Sequence, residues 1–269
     1  MWLNAPRLLL RRSLSSSPPP FYGSPRPPPP PLLYPSHKPL PHFAKLGLFL
    51  KSSLEAASDP TNADAVGAIL DISSPLTLTH LHKLMSSSKT GSRILKAQPD
   101  IATALSSSSP LFTSLHYLPP STFGKAYHTF MDHHHFASEN RPAVKYVDDE
   151  QLAYILLRYR LSHDFYHTIY NLPPTVPGEL VLKMIETLEF KLGGAALQAI
   201  VGISPMTELL TKREREEVME VFVPWVVENW KRRKGMETLL NVYWEEELET
   251  DIEGLRNDLN ITKAPAFEA

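Results

Sequence analysis

Beyond the N-terminal tail, apolar residues recur at the spacing of an α-helix, and this periodicity leaves few architectures open. They return at i, i+3, i+4 and i+7, whereas no run of valine, isoleucine and threonine alternates with polar residues as a half-buried strand would. The sequence therefore predicts an all-α fold, a single multi-helix domain without a sheet. The predicted helices cover about residues 42–57, 62–72, 77–87, 91–98, 121–136, 149–170, 177–201, 206–233 and 236–258.

The first 35 residues differ from the rest in composition. Of the 26 prolines, 13 lie between Pro6 and Pro41, and four arginines precede the first acidic residue, Glu55. Because an arginine-rich, serine-rich and acid-poor leader is typical of mitochondrial import, we predict a disordered, proline-rich transit peptide over residues 1–35 and a helical domain over residues 36–269. A disordered tail without a targeting role is the alternative. Cleavage near residue 35 would remove the four arginines and change the formal net charge from −2 to −6.

The bulk composition excludes several classes of function. With 27 basic and 29 acidic residues, the chain offers no broad basic face for nucleic acid. The absence of cysteine excludes disulfides, thiolate metal ligands and a thiol nucleophile, so a metal would have only imidazole and carboxylate ligands. No transmembrane span is predicted, since the charge-free segment 101–124 contains three prolines and six serines and the segment 192–207 is too short. Any membrane contact is therefore expected to be peripheral.

Two histidines lie on the inward face of the predicted helix 149–170. Asp148, with Gln151 three residues later, predicts the start of this helix by a capping box. The inward positions then follow helical spacing without a break: Leu152, Ile155, Leu156, Tyr159, His163, Tyr166, His167 and Tyr170. Because buried imidazoles need hydrogen-bond partners or a metal, the two histidines are candidate ligands.

A candidate metal site combines these histidines with a later carboxylate. His163 and His167 have the four-residue spacing that aims two imidazoles at one point in front of a helix. Glu179 follows a proline-rich turn, near the start of the next predicted helix, where its carboxylate can face the histidines. Asp164 is rotated by about 100° from His163 around the helix, so it reaches the metal only if its side chain curls inward, and otherwise supports the ligands from outside.

Ordinary ion pairs within the helices are the alternative interpretation of both carboxylates. Asp164 could pair with Arg160 one turn earlier, and Glu179 with Lys183 one turn later. A metal-dependent phosphohydrolase, which the His-Asp doublet also suggests, is disfavoured because no further upstream histidine and downstream aspartate have a convincing spacing.

Six segments point to a known family. They are YLPPSTFG at 117–124, RPAVKYVDDE at 141–150, HDFYH at 163–167, PTVPGE at 174–179, LGGA at 192–195 and the Pro-Trp pair at 224–225. Together they resemble the family of the fourth Coq protein of ubiquinone biosynthesis, and the resemblance covers roughly residues 34–263. The family's pattern is HDxxH, eleven residues, then E, and eleven residues separate His167 from Glu179. The resemblance therefore implies that His163, Asp164, His167 and Glu179 are metal ligands.

The resemblance also implies a function. It points to a peripheral protein on the matrix face of the inner mitochondrial membrane that belongs to a multiprotein coenzyme Q assembly and binds polyprenylated quinone precursors. The implied reaction removes the C1 carboxyl group of a polyprenylated, 4-hydroxybenzoate-derived ring, with oxidation at that carbon. The expected cofactor is a divalent metal ion, and zinc is the ion that we expect. Because zinc is redox-inert, electrons for an oxidation would come from the electron-rich ring, or the ion in the cell would not be zinc.

A different class of function is open as well. The protein could be a non-catalytic scaffold that organises the coenzyme Q biosynthetic enzymes and binds the prenylated lipid, with the metal joining two helices structurally. Open coordination positions favour the enzyme, and a closed site favours the scaffold. A homodimer is compatible with the family resemblance, but the sequence does not locate its interface.

Three other patterns have ordinary explanations. The triplet His133-His134-His135 predicts a polar surface turn, because consecutive helical residues point in different directions. The segment 221–234 combines two tryptophans with four basic residues, which suits either an anionic membrane surface or, preferably, a core helix whose C-terminal dipole favours cations. The small residues 193–196 allow close helix packing, or could line a tunnel for a polyprenyl chain.

Overall fold

Most helices begin at a short polar residue whose side chain accepts a hydrogen bond from a backbone N–H further along the chain. In the computed structural model, which describes residues 31–59, 62–204 and 208–267, these N-caps are Asn62, Ser88, Asp100, Ser109, Thr122, Asp149, Thr175, Thr211 and Asp251. The described ranges contain helices and no β-strand, which confirms the all-α prediction.

The helices follow one another through short turns. They are α1 His42–Ser58, α2 Ala63–Ser73, α3 Pro75–Ser87, α4 Lys89–Ala97, α5 Ile101–Ala104, α6 Pro110–Ser114, α7 Phe123–His134, α8 Glu150–Tyr170, α9 Val176–Phe190, α10 Gly193–Ile203, α11 Lys212–Glu217, α12 Val223–Arg233 and α13 Ile252–Asp258. Among the described residues, no helix is long and apolar enough to cross a membrane.

The helix α8 carries three of the four candidate ligands and lies at the centre of the fold. It contacts α3, α4, α5 and α7, while α1, α2, α10, α9 and α12 form a series in which each helix contacts the next. From Arg158 to Tyr170 every residue of α8 is buried, so the helix is covered on all sides. Aromatic rings of other segments pack against it, since Phe123 and Trp244 both contact the ring of Phe165 on α8. This packing holds the histidines on a rigid element.

Five predicted helices agree with the structure within two residues at each end: those at 42–57, 62–72, 77–87, 91–98 and 149–170. The predicted N-cap of α8 is off by one residue. The backbone N–H of Leu152 donates to Asp149, whereas Asp148 pairs with Lys45 and His37. The predicted helix 121–136 is shorter at both ends, and the short helices α5 and α6 lie between residues 98 and 121, where no helix is predicted.

The prediction of one helix over 177–201 is wrong. Lys191 adopts a left-handed conformation with φ of 56° and ends α9, and α10 begins two residues later. The small residues at 193–196 do allow close packing, since a Cβ at Gly194 would lie 2.6 Å from a methyl carbon of Leu70 on α2. The break therefore redirects the chain so that α10 packs against both α9 and α2.

The predicted helix 206–233 begins later than expected and is irregular in its middle. Its regular part starts at Thr211, whose side chain forms a capping box with Glu214. A π-helical stretch, Val218–Phe222, then leads into α12, with the N–H of Val223 donating to the carbonyl of Val218. Pro224 has no N–H, so a continuous α-helical ladder is interrupted there.

The prediction of a helix over 236–258 is wrong for most of its length. Only Ile252–Asp258 is α-helical, and two 3-10 turns occupy Leu239–Asn241 and Trp244–Glu246. The backbone carbonyls of Leu240 and Val242 accept hydrogen bonds from the buried guanidinium of Arg158 on α8. Tertiary hydrogen bonds thus replace the helical ladder in this segment.

Residues from Leu32 onward form one compact unit in their described part. The predicted transit peptide falls outside the described residues except for 31–35, and it stays a prediction. Within the described part, the Tyr34 hydroxyl donates to the Val147 carbonyl and Ser36 donates to the Val144 carbonyl. The chain is therefore anchored to the helical unit from about Tyr34.

Candidate metal centre

The two candidate histidines lie one turn apart in the buried half of α8. His163 is 6% exposed and His167 is 1% exposed. An imidazole in such surroundings must have its polar atoms paired, because an unpaired buried polar group costs about 1–3 kcal/mol. The partners of these rings therefore decide what the histidines do.

Glu179 reaches the histidines because a tight turn starts α9 beside them. Thr175 caps α9, with its hydroxyl accepting from the Gly178 N–H, and Pro177 occupies a first-turn position. Gly178 passes so close to the preceding turn that a Cβ there would lie 2.0 Å from the carbonyl oxygen of Pro173. This close approach places Glu179 in the first turn of α9, facing α8.

Three ligand atoms converge on one point. The Nε2 atoms of His163 and His167 are 3.2 Å apart. The carboxylate oxygens of Glu179 lie 3.2 Å from the first nitrogen and 3.1 Å from the second. Two ligands of a tetrahedral zinc ion, each about 2.0–2.1 Å from the metal, lie about 3.3 Å apart. Among the described residues, these three form the one cluster of histidine, cysteine or acidic residues with this convergence, and their spacing fits a divalent ion.

The far sides of both rings are held by acceptors. His163 Nδ1 lies 2.8 Å from a carboxylate oxygen of Glu186, and His167 Nδ1 lies 3.1 Å from the carbonyl oxygen of Leu172. An ionised carboxylate or a carbonyl can only accept, so each Nδ1 carries the hydrogen. In the neutral rings, both Nε2 lone pairs therefore face the same point. Such an arrangement is unfavourable without a shared cation, and metal-binding histidines commonly have it.

The carboxylates of the site are strongly acidic. Burial would raise the pKa of Glu179, but the positive charges and hydrogen bonds that His163 and His167 supply when protonated outweigh it and lower the pKa well below its usual range. Burial would also raise the pKa of Glu186, but the charges and hydrogen bonds of Lys183 and His163 outweigh burial and lower this pKa to about 2. Burial and Lys183 lower the pKa of His163, while the two glutamates raise it above its usual value. Both carboxylates are thus ionised at neutral pH.

Asp164 does not join the three convergent ligands in the described structure. Its carboxylate is buried and paired with the guanidinium of Arg141. The proposed alternative pairs are not formed either, since Arg160 pairs with Asp71 on α2 and Lys183 pairs with Glu186. The role of Asp164 as a fourth ligand stays a prediction.

One side of the site is open to solvent. The side chain of Glu179 is 38% exposed and that of Arg141 is 31% exposed. The ring of Phe130 stacks on His167 with centroids 5.3 Å apart. Beside His167 lies a cavity of about 460 Å³, within the size range of small-molecule pockets, with Phe130 and Phe267 among its apolar walls.

The histidine triplet is no part of the ligand cluster, and His133 and His135 are exposed.

Sequence reasoning missed two residues of this site. Glu186 follows Glu179 by seven residues, two helical turns on the same face of α9, so helical spacing could have found it. Arg141 begins one of the segments that carry the family resemblance, but its pairing with Asp164 depends on tertiary structure. Neither residue belongs to the convergent cluster; Arg141 binds Asp164 and Glu186 binds His163.

Gly178→Ala should destabilise the protein by about 1–3 kcal/mol, because the added methyl group overpacks the turn against Pro173. Urea denaturation monitored by circular dichroism would measure this change. Gly47→Ala on α1 is a matched control, since no atom lies within 4 Å of a Cβ there. That substitution should stabilise the protein by about 0.5–1 kcal/mol. Equal effects of the two substitutions would contradict the account of the turn.

Known proteins match this chain over most of its length. The family model described as "Coenzyme Q (ubiquinone) biosynthesis protein Coq4" matches residues 34–265. A ubiquinone biosynthesis protein coq4, mitochondrial, of Schizosaccharomyces japonicus is 34% identical over 87% of this chain and 94% of its own length. Corresponding proteins of Pyricularia oryzae and Neurospora crassa are 37% and 36% identical over 86% of this chain, which spans 73% and 64% of their respective lengths. A crystal structure from Nostoc punctiforme PCC 73102 shares the fold, with a TM-score of 0.59 at 16% identity over 80% of this chain and 95% of that chain.

Proposed function

Because the chain belongs to the Coq4 family of coenzyme Q biosynthesis proteins, we propose that it is a metal-dependent C1 decarboxylase of that pathway. Its substrate would be a polyprenylated ring derived from 4-hydroxybenzoate. The observation that carries the proposal is the convergence of His163, His167 and Glu179, one of whose members is 38% exposed. A site that keeps a solvent-facing side has room for a substrate, whereas a closed structural site does not.

The chain's own residues would prepare the site for an anionic ring. His163, His167 and Glu179 would hold a divalent ion, which we expect to be zinc and which would act as a Lewis acid toward the ring carboxylate or a neighbouring phenolate. The guanidinium of Arg141 donates a hydrogen bond to Asp164, which is its one hydrogen bond among the described contacts. The negative charge of Glu179 also stabilises the charged form of this guanidinium. The remaining N–H groups of Arg141 are suited to an incoming carboxylate.

The reaction would break the bond between C1 and the carboxyl carbon, which leaves as carbon dioxide. The electron pair of the broken bond would stay on C1, which would take up a proton. If C1 is oxidised in the same reaction, it would instead gain a hydroxyl oxygen from water, and two electrons would pass from the ring to an oxidant such as dioxygen, which would become hydrogen peroxide, because zinc does not change its oxidation state. The part of the cavity beside His167 that Phe130 and Phe267 line would shield apolar parts of the substrate from water.

The second candidate is a scaffold of the coenzyme Q biosynthetic enzymes. It is favoured by the way in which the same cluster joins α8 to α9, since His163 and His167 on one helix contact Glu179 on the other. For either function we propose a peripheral position on the matrix side of the inner mitochondrial membrane, within an assembly of pathway proteins. The relatives are named mitochondrial, and no described helix could span a membrane.

Reconstitution distinguishes the two functions. Purified zinc-loaded protein and a prenylated hydroxybenzoate labelled at its carboxyl carbon, with dioxygen present, should release labelled carbon dioxide. Treatment with a chelator should stop the release, and added metal should restore it. Glu179→Ala should be inactive because it removes the exposed ligand. Release no greater than that of the chelated protein would contradict the enzyme, and loss of pathway partners from a co-purified complex on chelation would favour the scaffold.

A further inference from the structure

Glu186 is a fully buried carboxylate to which the proposed ligand set gives no role. It is 0% exposed. A buried ion is costly unless hydrogen bonds satisfy it, and three donors surround this one. The Tyr159 hydroxyl and the Lys183 ammonium both donate to Oε2 at 2.7 Å, and His163 Nδ1 donates to Oε1 at 2.8 Å.

The two oxygens of Glu186 have separate partners. Tyr159 and Lys183 share Oε2, which leaves Oε1 to His163 alone. An ion pair that merely neutralised Lys183, three residues away on the same helix, would need no contact with α8. Instead, the tyrosine and the lysine orient the carboxylate so that its other oxygen faces the imidazole.

Lys183 makes the contact between Glu186 and His163 consequential. Its Nζ lies 3.4 Å from His163 Nδ1, and an ammonium can only donate. With Glu186 present, Nδ1 donates to the carboxylate, and Nε2 keeps its lone pair toward His167 and Glu179. Without Glu186, Lys183 would donate to Nδ1, and the ring hydrogen would move to Nε2, the atom that faces the proposed ion.

We infer that Glu186 is a positioning residue, which fixes the tautomer and the orientation of His163 so that Nε2 can bind a metal, with Tyr159 and Lys183 holding Glu186 in place. The inference rests on the proposed metal site. It does not extend to His167, whose Nδ1 is held by the backbone carbonyl of Leu172. The site is thus supported by a side chain on one ligand and by the backbone on the other.

Zinc affinity, measured by competition with a chromophoric chelator, tests the inference. Glu186→Met should weaken zinc binding by about 10- to 100-fold, the usual effect of removing a carboxylate that supports a metal-binding histidine. Glu186→Gln retains an oxygen acceptor and should lose less. Adding Lys183→Met to the Glu186→Met protein should restore part of the affinity, because it removes the donor that competes for Nδ1.

The matched control is Glu189→Met on the same helix. Glu189 is also a largely covered carboxylate, with its side chain 11% exposed, but its ion-pair partner is Arg233 and not His163, so zinc affinity should stay at the wild-type value. A second measurement, the ¹⁵N shifts of the histidine rings in metal-free protein, should show the His163 hydrogen moving from Nδ1 toward Nε2 in Glu186→Met and to a smaller extent in Glu186→Gln, with His167 unchanged. If Glu186→Met does not fold, Glu186→Gln provides both measurements.

Two outcomes would overturn the inference, and they differ in what else they contradict. Equal zinc affinity in the Glu186 and Glu189 variants, with unchanged His163 shifts, would overturn the role of Glu186 and leave the proposed metal site intact. A wild-type protein with no zinc affinity would overturn both. If the variants lose affinity as expected but the wild type releases no carbon dioxide, the positioning role holds and the proposed decarboxylation fails.

Discussion

His163→Ala and His167→Ala should each weaken zinc binding by about 100- to 1,000-fold. Structural zinc sites with four ligands have apparent binding free energies of about 10–16 kcal/mol, or about 2.5–4 kcal/mol for each ligand. The Nε2 atoms of the two rings face the same point and lie 3.2 Å apart. Each ring should therefore contribute the binding free energy of one ligand. Metal content after dialysis and chelator competition would measure the loss, and both variants should be inactive in the carbon dioxide assay.

His134→Ala is the matched control for the histidine variants. His134 lies near the site, with its ring 5.0 Å from that of Phe130, but it is no part of the convergent cluster. Its removal should leave zinc affinity unchanged. Asp164→Asn tests the fourth ligand in the same assay, and a loss as large as that of the histidine variants would establish it. Retention of wild-type affinity by either histidine variant would contradict the proposed centre.

The parts of this site that the sequence predicts are those set by local geometry. His163 and His167 are four residues apart on a long helix. Helical geometry alone therefore places both side chains on the same face, whatever the helix packs against. Glu179 is predictable because Thr175 and Pro177 begin the next helix a few residues before it. The helical periodicity that fixes these positions also identifies most helices on the N-terminal side of α9.

The parts that the sequence does not predict depend on buried polar contacts. A helical pair between Asp164 and Arg160 would contribute only about 0.2–0.5 kcal/mol. Arg160 instead binds Asp71 and the carbonyls of Gly67 and Pro142, which satisfies a buried carboxylate as well as two backbone oxygens. Tertiary partners thus compete with the local helical partner for Arg160. Because only the folded structure brings these tertiary partners close, spacing along the sequence predicts the wrong pair.

The largest loss of stability is expected for Arg158→Met, at about 3–5 kcal/mol. The guanidinium of Arg158 is 0% exposed and donates to the carbonyls of Leu240 and Val242 and to the carboxylate of Glu245. Methionine fills a similar volume but offers no donor, so two carbonyls and a mostly buried carboxylate would lose their partner. Urea denaturation would measure the loss as a lower transition midpoint with an unchanged slope.

Arg232→Met is the control, because Arg232 pairs with Glu228 across solvent with both side chains more than half exposed. Its effect should stay within about 0.5 kcal/mol. The same pair of variants tests why the predicted helix over 236–258 does not form. If the packing of the whole segment prevents a helix here, and not Arg158 alone, the Arg158 variant should lose stability without gaining helical circular dichroism. A variant of wild-type stability with more helix would instead show that local propensity favours the helix and that Arg158 alone suppresses it.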